Sequence, residues 1–264
     1  MFYFLKLGGS LITDKNLAHT ANLDTIHRLA GEIALARKEN PNLKLLLGHG
    51  SGSFGHVPAK KYGTREGVNN REGWQGFEEV WKEARSLNQI MVDILNTHDI
   101  PVISFPPSSM IITENKNIKT WEMTPIKKAL DACLIPLVYG DVIFDLIKGG
   151  TIFSTEELFV PLALFLKPDK ILIAGIEEGA WQDYPANRNL IPLITQNTQP
   201  EILKQLGGSN SIDVTGGMAE KVTSMLTLTS LLPDLEINIF SGIIPKNIHK
   251  SLSGVSLGTM IKRN

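Results

Sequence analysis

The chain has 264 residues, of which 42% are hydrophobic and 20% are charged, a composition typical of a globular protein with a sizeable core. Its formal net charge of −1 excludes recruitment of nucleic acid or anionic membrane by bulk charge, so phosphate binding must depend on a few placed cations. The single Cys133 excludes an intrachain disulfide and a multi-cysteine metal site, no apolar run approaches the roughly 18–20 residues that span a bilayer, and the expected location is cytoplasmic.

Strand-like and helix-like segments alternate along the chain. Short apolar runs predict strands at 2–7, 43–48, 101–105, 134–140, 170–175 and 236–242, with a last edge strand near the C-terminus. Helical spacing of apolar residues predicts helices at 23–33, 74–91, 125–132, 156–166 and 217–232. This alternation predicts an α/β fold in which helices cover both faces of a mostly parallel sheet, a three-layer αβα sandwich formed by one domain over residues 1–264.

Glycine-rich turns follow three of the predicted strands, at residues 7–10, 48–55 and 140. A fourth glycine pair, Gly216-Gly217, opens the predicted helix at 217–232. Ligands of open α/β sheets bind at the edge where the carboxyl ends of parallel strands lie. The clustering of these turns therefore predicts a phosphate-handling site at that edge.

The turn "GHGSGSFGH" at 48–56 contains a literal G-x-G-x-x-G. A dinucleotide-binding unit also needs a long crossover helix after the last glycine. Here Pro58 follows at once and Gly63 ends any helix, so we expect only one or two helical turns and disfavour a nicotinamide or flavin site. A backbone nest that binds an anion through converging N–H groups fits the turn better. His56 would then donate to the anion, or it is an ordinary capping histidine.

Two lysines stand where an anion is expected. Lys6 lies inside an apolar strand just before Gly8, where it either meets an anion at the glycine edge or points to solvent from an edge strand. Lys221 follows Gly217 by one helical turn, which suits either a nucleotide phosphate or an exposed position on a helix. Lys15 has no assigned role from spacing alone.

Taken in order, "KLGGSLITDK", "GHGSGSFGH", the Gly140-Asp141 pair and "DVTGGMAEKV" at 213–222 resemble the isopentenyl phosphate kinases of the amino acid kinase superfamily. The resemblance covers essentially the whole chain. It implies transfer of the γ-phosphoryl group of ATP, with Mg²⁺, to isopentenyl phosphate in isoprenoid biosynthesis. It also implies an acceptor-binding part over roughly 1–150, a nucleotide-binding part over roughly 151–264, a homodimer, and no nucleic-acid or membrane partner.

The resemblance assigns roles to the matching residues on the nucleotide side. Lys6, Lys15 and Lys221 would contact the ATP phosphates and the migrating phosphoryl group. The nucleotide site would also be lined by Gly8, Gly9, Ser10, Gly52, Gly175, Glu177, Gly216 and Gly217.

On the acceptor side, Ser51 and Gly52 would offer backbone N–H groups and His56 would bind the acceptor phosphate. Gly140 and Asp141 would border the acceptor. No metal ligand can be named, because Mg²⁺ can be held mostly by the oxygens of the nucleotide. The apolar stripe Trp74–Phe77–Trp81 would form one wall of a prenyl pocket, or it is plain core.

The chain departs from the family pattern in two places. Relatives often have Ser-Gly-Asp-Asp where this chain has Ser-Thr-Glu-Glu at 154–157, so Glu156 would have to organise the lysines with a longer side chain. Residues 176–181 replace Asp-Val-Asp-Gly-Val-Tyr with Ile-Glu-Glu-Gly-Ala-Trp, which affects the base and ribose contacts.

Three other functions share some of these features. A kinase for another small phosphate or phosphonate, such as fosfomycin, would have the same turns and histidine. A non-catalytic regulatory nucleotide-binding module would have the fold without turnover. A dinucleotide oxidoreductase would bind NAD.

Overall fold

The computed structural model describes residues 1–14, 17–206 and 218–264. Lys15, Gly216 and Gly217 lie outside these ranges, so the roles assigned to them stay predictions. Within the described ranges, no helix combines the length and the apolar character that crossing a membrane requires.

The strands and helices alternate as predicted. The described strands are β1 (Phe2–Leu7), β2 (Lys44–His49), β3 (Val102–Ser104), β4 (Ile111–Glu114), β5 (Asn117–Trp121), β6 (Ile135–Tyr139), β7 (Asp141–Asp145), β8 (Gly149–Phe153), β9 (Lys170–Gly175), β10 (Leu193–Ile194), β11 (Glu236–Ser241) and β12 (Thr259–Ile261). The described helices are α1 (Gly9–Ile12), α2 (Leu23–Glu39), α3 (Gly52–Tyr62), α4 (Arg71–Thr97), α5 (Thr124–Asp131), α6 (Thr155–Leu166), α7 (Gln199–Leu206), α8 (Met218–Leu231) and α9 (Asn247–Leu252).

Eight of these strands form the main sheet, in the order β10-β12-β11-β9-β1-β2-β6-β3. All neighbouring pairs are parallel except β11 and β12. The predicted mostly parallel sheet is therefore confirmed. Because β1 lies between β9 and β2, its side chains are covered by helices, and Lys6 cannot be a solvent-facing residue of an edge strand.

Side-chain alternation along the central strands builds two cores on opposite faces of the main sheet. Leu5 and Leu7 belong to the core beneath α2, α4 and α9, whereas Phe4 belongs to the core beneath α6 and α8. Successive side chains of a strand point to opposite faces. Lys6 consequently shares the face of Phe4, on which α6 and α8 lie. This layering confirms the αβα sandwich.

A second sheet of four strands, in the order β5-β4-β7-β8, was not predicted. Its two hairpins are joined by Asp145, which is buried and accepts five hydrogen bonds. The donors are the Thr113 hydroxyl and the backbone N–H groups of Asn115, Lys116, Ile147 and Lys148. Burial opposes ionisation, but these donors outweigh it and hold the pKa of Asp145 well below its usual range.

Helix α3 corrects the prediction of one or two helical turns after the glycine turn. It runs for 11 residues, passes through Pro58, and ends at Gly63 in the left-handed conformation. A proline inside a helix removes one backbone hydrogen bond. Pro58 and Ala59 are buried, and Ala59 packs with residues of α4 and β7, so tertiary packing offsets the lost bond.

Candidate active site

The main cationic cluster lies where β1 meets the N-terminal ends of α6 and α8. Lys6 is only 7% exposed, and its ammonium group forms an ion pair with Oε1 of Glu156, the second residue of α6. The Nζ atom of Lys221, in the first turn of α8, lies 3.6 Å from the same oxygen. One carboxylate thus brings together two lysines that are 215 positions apart in the sequence.

Glu156 is held in its ionised form. Burial alone would raise its pKa, but the charges of Lys6 and Lys221, with a hydrogen bond from Lys6, outweigh burial and lower the pKa to about 2. Ser154 and Glu157 cap α6 reciprocally, which fixes the start of the helix. The departure from the shorter aspartate of relatives therefore still permits contact with both lysines.

The glycine turn after β2 has the backbone shape of an anion-binding concavity. Ser51 has right-handed helical dihedral angles and Gly52 has φ of +50°, the alternation that turns successive N–H groups toward one point. Neither N–H group donates to a protein atom among the described residues, whereas the N–H of Ser53 donates to the Thr13 hydroxyl at 3.1 Å. We call Ser51 and Gly52 the nest.

Glycine is required at two positions around the nest. A side chain at Gly52 would need the left-handed region and would collide with Thr13. A Cβ atom at Gly9 would lie 2.5 Å from the backbone nitrogen of Gly52. The turn after β1 and the turn after β2 are therefore in direct contact.

The turn after β1 also contacts the end of β9. The N–H of Gly8 donates to the carbonyl of Ala174 at 2.8 Å, and a Cβ at Gly8 would lie 3.5 Å from Cα of Gly175. Ser10 follows in α1 and is exposed. The structure thus brings together, at one sheet edge, predicted site residues from three parts of the chain.

His56 lies on α3, one turn beyond the nest, and is half-buried. It shares this helix with Gly52, so its side chain is carried by the element that begins at the nest. The contact between His56 and an acceptor phosphate stays a prediction.

Gly140 and Asp141 connect β6 to the small sheet. The N–H of Gly140 donates to the carbonyl of His49 at 3.1 Å, so this turn borders the glycine turn after β2. Asp141 is fully buried and accepts from the N–H of Ser108 at 3.2 Å and of Val142 at 2.9 Å. Burial raises the pKa of Asp141 to about 6, although these hydrogen bonds act in the opposite direction.

Glu177 makes contacts within its own loop. Its Oε2 atom accepts from the indole N–H of Trp181 and from the side-chain amide of Asn187, both at 3.2 Å. The carboxylate therefore stabilises the loop between β9 and β10. Contact of Glu177 with a nucleotide stays a prediction.

An apolar cluster lies beside Asp141. Its buried members are Ala59, Val68, Phe77, Val80 and Val142, against which Trp81 and Ile152 pack. Phe77 is 7% exposed, whereas Trp74 is 40% exposed and packs on Phe77 and Phe144 from outside. Of the predicted aromatic stripe, Phe77 and Trp81 thus belong to this cluster.

Three polar residues behind the nest were not predicted from the sequence: His49, Asn88 and Thr155. His49 is the last residue of β2 and its side chain is fully buried against Asn88, while the Thr155 hydroxyl donates to the His49 carbonyl at 2.6 Å. The available signal was a histidine at the end of an apolar strand, directly before a glycine turn.

The chain is similar to proteins of known family. A model of the amino acid kinase family matches residues 1–230. The isopentenyl phosphate kinase of Methanocaldococcus jannaschii is 37% identical over 270 residues, covering 99% of this chain and 98% of that protein. The isopentenyl phosphate kinase of Methanothermobacter thermautotrophicus is 30% identical, covering 97% of each. An X-ray structure of an isopentenyl phosphate kinase superposes with a TM-score of 0.83 at 28% identity, covering 99% of this chain and 100% of that one. The chain therefore belongs to the amino acid kinase family.

Proposed function

We propose that this chain transfers the γ-phosphoryl group of ATP to isopentenyl phosphate, giving isopentenyl diphosphate and ADP. The observation that carries the proposal is the meeting of Lys6 and Lys221 on Glu156 at the sheet edge that also holds the nest. Its full-length relatives with this activity in their names support the same assignment.

Phosphoryl transfer asks a protein mainly for positioning and for stabilisation of charge. Two anions, the γ-phosphate and the acceptor phosphate, must be brought within bonding distance. In the proposed mechanism Lys6 and Lys221 stabilise the charge on the transferred group, and Glu156 holds the two ammonium groups in place between turnovers. Lys15, outside the described residues, is the third proposed cation.

The acceptor phosphate is proposed to bind the N–H groups of Ser51 and Gly52 and the imidazole of His56. A phosphate monoester loses its second proton near pH 6, so it is already a nucleophile at neutral pH and needs no general base. His56 therefore positions and neutralises the acceptor, and it abstracts no proton.

The donor set of the site suits a triphosphate, because the lysines and the nest N–H groups, which donate to no protein atom in the described ranges, favour an anion. Among the residues that the structure describes, no group of three His, Cys, Asp or Glu side chains could hold a metal ion. Mg²⁺ often binds to proteins mainly through substrate phosphates. We propose that Mg²⁺ enters with ATP, where it would neutralise phosphate charge.

The isopentenyl tail has no polar group, so its pocket must be apolar. The cluster around Phe77 begins at Val142, directly after the proposed acceptor residue Asp141, and is the proposed tail site. Burial of each CH₂ group contributes about 0.8 kcal/mol, so a five-carbon tail would gain several kcal/mol there. This apolar cluster favours a prenyl phosphate over fosfomycin.

The division of the chain into two parts, its assembly and its location are also proposals. We infer that residues 1–150 contribute mainly to the acceptor side and residues 151–264 to the nucleotide side, in a cytoplasmic homodimer. The small sheet and the cluster around Phe77 derive from residues before 154, which supports this division.

A coupled assay of ADP release tests the function. Isopentenyl phosphate is compared with isopentenol, glycerol 3-phosphate and fosfomycin, each with ATP and Mg²⁺. We expect kcat/KM for isopentenyl phosphate to exceed the other values at least 100-fold. Comparable turnover of fosfomycin would favour the phosphonate kinase, and no ADP release with any acceptor would favour the regulatory module.

A further inference from the structure

The side chain of His49 is fully buried behind the nest. Its Nδ1 atom lies 3.1 Å from the carbonyl oxygen of Gly50, and its Nε2 atom lies 3.2 Å from Oδ1 of Asn88. The imidazole stacks on Tyr139, with ring centroids 5.4 Å apart and planes inclined by 9°. The ring therefore has a fixed position and orientation.

The protonation of this ring follows from its surroundings. Burial, the dominant effect, lowers the pKa of His49 despite its two hydrogen bonds, so the ring is neutral at pH 7 and carries one N–H. The Gly50 carbonyl can only accept, whereas the oxygen and nitrogen of the Asn88 amide can exchange places, so the proton is assigned to Nδ1 and is donated to Gly50. The amide of Asn88, which also bonds Ser104 at 2.9 Å, can rotate to donate to Nε2.

The bond from His49 to Gly50 sets the direction of the next N–H group. The peptide between Gly50 and Ser51 is trans, since the cis bond found in the described chain is Tyr184–Pro185. In a trans peptide the C=O and the following N–H point in opposite directions. Holding the Gly50 carbonyl toward the buried imidazole therefore turns the Ser51 N–H away from it, into the nest.

The backbone of His49 also connects the nest to the rest of the site. Its carbonyl accepts from the N–H of Gly140 at 3.1 Å and from the hydroxyl of Thr155 at 2.6 Å. Thr155 directly precedes Glu156 on α6. His49 thus contacts the acceptor-side turn, the nest and the helix that carries the lysine partner.

We propose that His49 is a positioning residue for the acceptor phosphate, acting through the Gly50 carbonyl to orient the Ser51 N–H. This inference rests on the proposed function, because the anion in the nest is taken to be the acceptor. His49 itself touches no substrate.

Two substitutions separate this role from simple packing. In His49→Asn the amide nitrogen takes the place of Nδ1 and keeps the bond to Gly50, whereas in His49→Gln it takes the place of Nε2 and keeps only the bond to Asn88. We expect H49Q to raise the KM for isopentenyl phosphate 10- to 100-fold with the KM for ATP changed less than twofold. H49N should keep the acceptor KM within about threefold of wild type.

The matched control is Asn238→Ala. Asn238 lies on β11, is also buried, and donates its side-chain amide to the Ser256 hydroxyl. This substitution should lower Tm without changing either KM. If H49N and H49Q instead raise both KM values together, in proportion to their loss of Tm, His49 is only a packing residue and the proposal is wrong. If H49Q does not fold, His49→Phe decides, because it keeps a ring stacked on Tyr139 and loses the bond to Gly50: an acceptor KM raised at least tenfold supports the proposal, and an unchanged value overturns it.

A binding measurement tests the role of His49 independently of the proposed kinase activity. Inorganic phosphate is titrated into ¹⁵N-labelled protein while the amide signals of Ser51 and Gly52 are followed. Saturable shifts in wild type and H49N, but not in H49Q, support the role of His49 even if isopentenyl phosphate is not turned over. Equal shifts in all three proteins overturn it, whatever the substrate.

Discussion

Replacing Glu156 with glutamine removes the charge shared by Lys6 and Lys221 while keeping the shape of the side chain. The environment lowers the pKa of Glu156 from 4.5 to about 2. Each unit corresponds to 1.36 kcal/mol, so the ionised carboxylate stabilises the folded state by about 3 kcal/mol. For a chain of this size, that loss should lower Tm by about 6–12 °C.

The stabilisation by Glu156 should depend on pH in a direction that follows from its lowered pKa. Because the folded-state pKa lies below the unfolded value, the stabilisation is fully present above about pH 4.5 and is lost as the pH falls toward 2. Urea unfolding of wild type and Glu156→Gln at pH 7 and at pH 3 measures it. The difference in unfolding free energy should fall to less than half between these values.

Activity provides a second measurement on the same variant. Because E156Q loses the ion pair between Lys6 and Glu156, we expect its kcat to fall at least tenfold. The kcat of Glu156→Asp should lie between those of E156Q and wild type, because aspartate keeps the charge on a shorter side chain. The control is Glu157→Gln, since Glu157 bonds Arg65 and caps α6 instead. If E156Q loses no more stability than E157Q, or if its deficit is the same at pH 3 and pH 7, the electrostatic argument is refuted.

Three further predictions concern the acceptor side. His56→Ala should raise the KM for isopentenyl phosphate roughly tenfold or more while His56→Gln keeps most turnover, and an unchanged KM in H56A would show that His56 does not bind the acceptor. Phe77→Ala should cost about 3–5 kcal/mol of stability and admit longer prenyl phosphates in the ADP-release assay, with Trp74→Ala as the exposed control; unchanged chain-length preference would exclude Phe77 from the pocket. Asp141 has a raised pKa, so wild type should lose about 3 kcal/mol relative to Asp141→Asn as the pH rises from about 3 to about 7, because the folded state binds the proton more tightly. Equal pH dependence in urea unfolding of the two proteins would contradict this.

The parts of the fold that the sequence predicted are those with strong periodic signals. The apolar runs at 2–7 and 170–175 became β1 and β9 because strands buried on both faces need continuous apolar residues. Lys6 was singled out because an ammonium group in such a strand needs a partner. The structure supplies that partner as a protein carboxylate, Glu156, which the sequence indicated only through family resemblance.

The small sheet was missed because its strands carry no such signal. Strands β4 and β5 are only four and five residues long and mix polar with apolar side chains. The buried Asp145 accepts hydrogen bonds from residues about 30 positions away in the sequence. Contacts of that range cannot be inferred from local pattern. His49 was missed for the same reason, since its partner Asn88 lies 39 residues further along the chain.

The five hydrogen bonds to Asp145 have a consequence for the proposed tail site. They fasten both hairpins of the small sheet at a single carboxylate, so strand β7, which supplies Val142 to the apolar cluster, belongs to a rigid plate. As the proposed tail site, this fixed surface would discriminate among tails by the volume of the side chains that line it, because it would neither close over a short tail nor widen for a long one. We therefore expect the exchange of a single lining residue such as Phe77 to shift tail preference, and insertions or deletions in the hairpins to abolish discrimination.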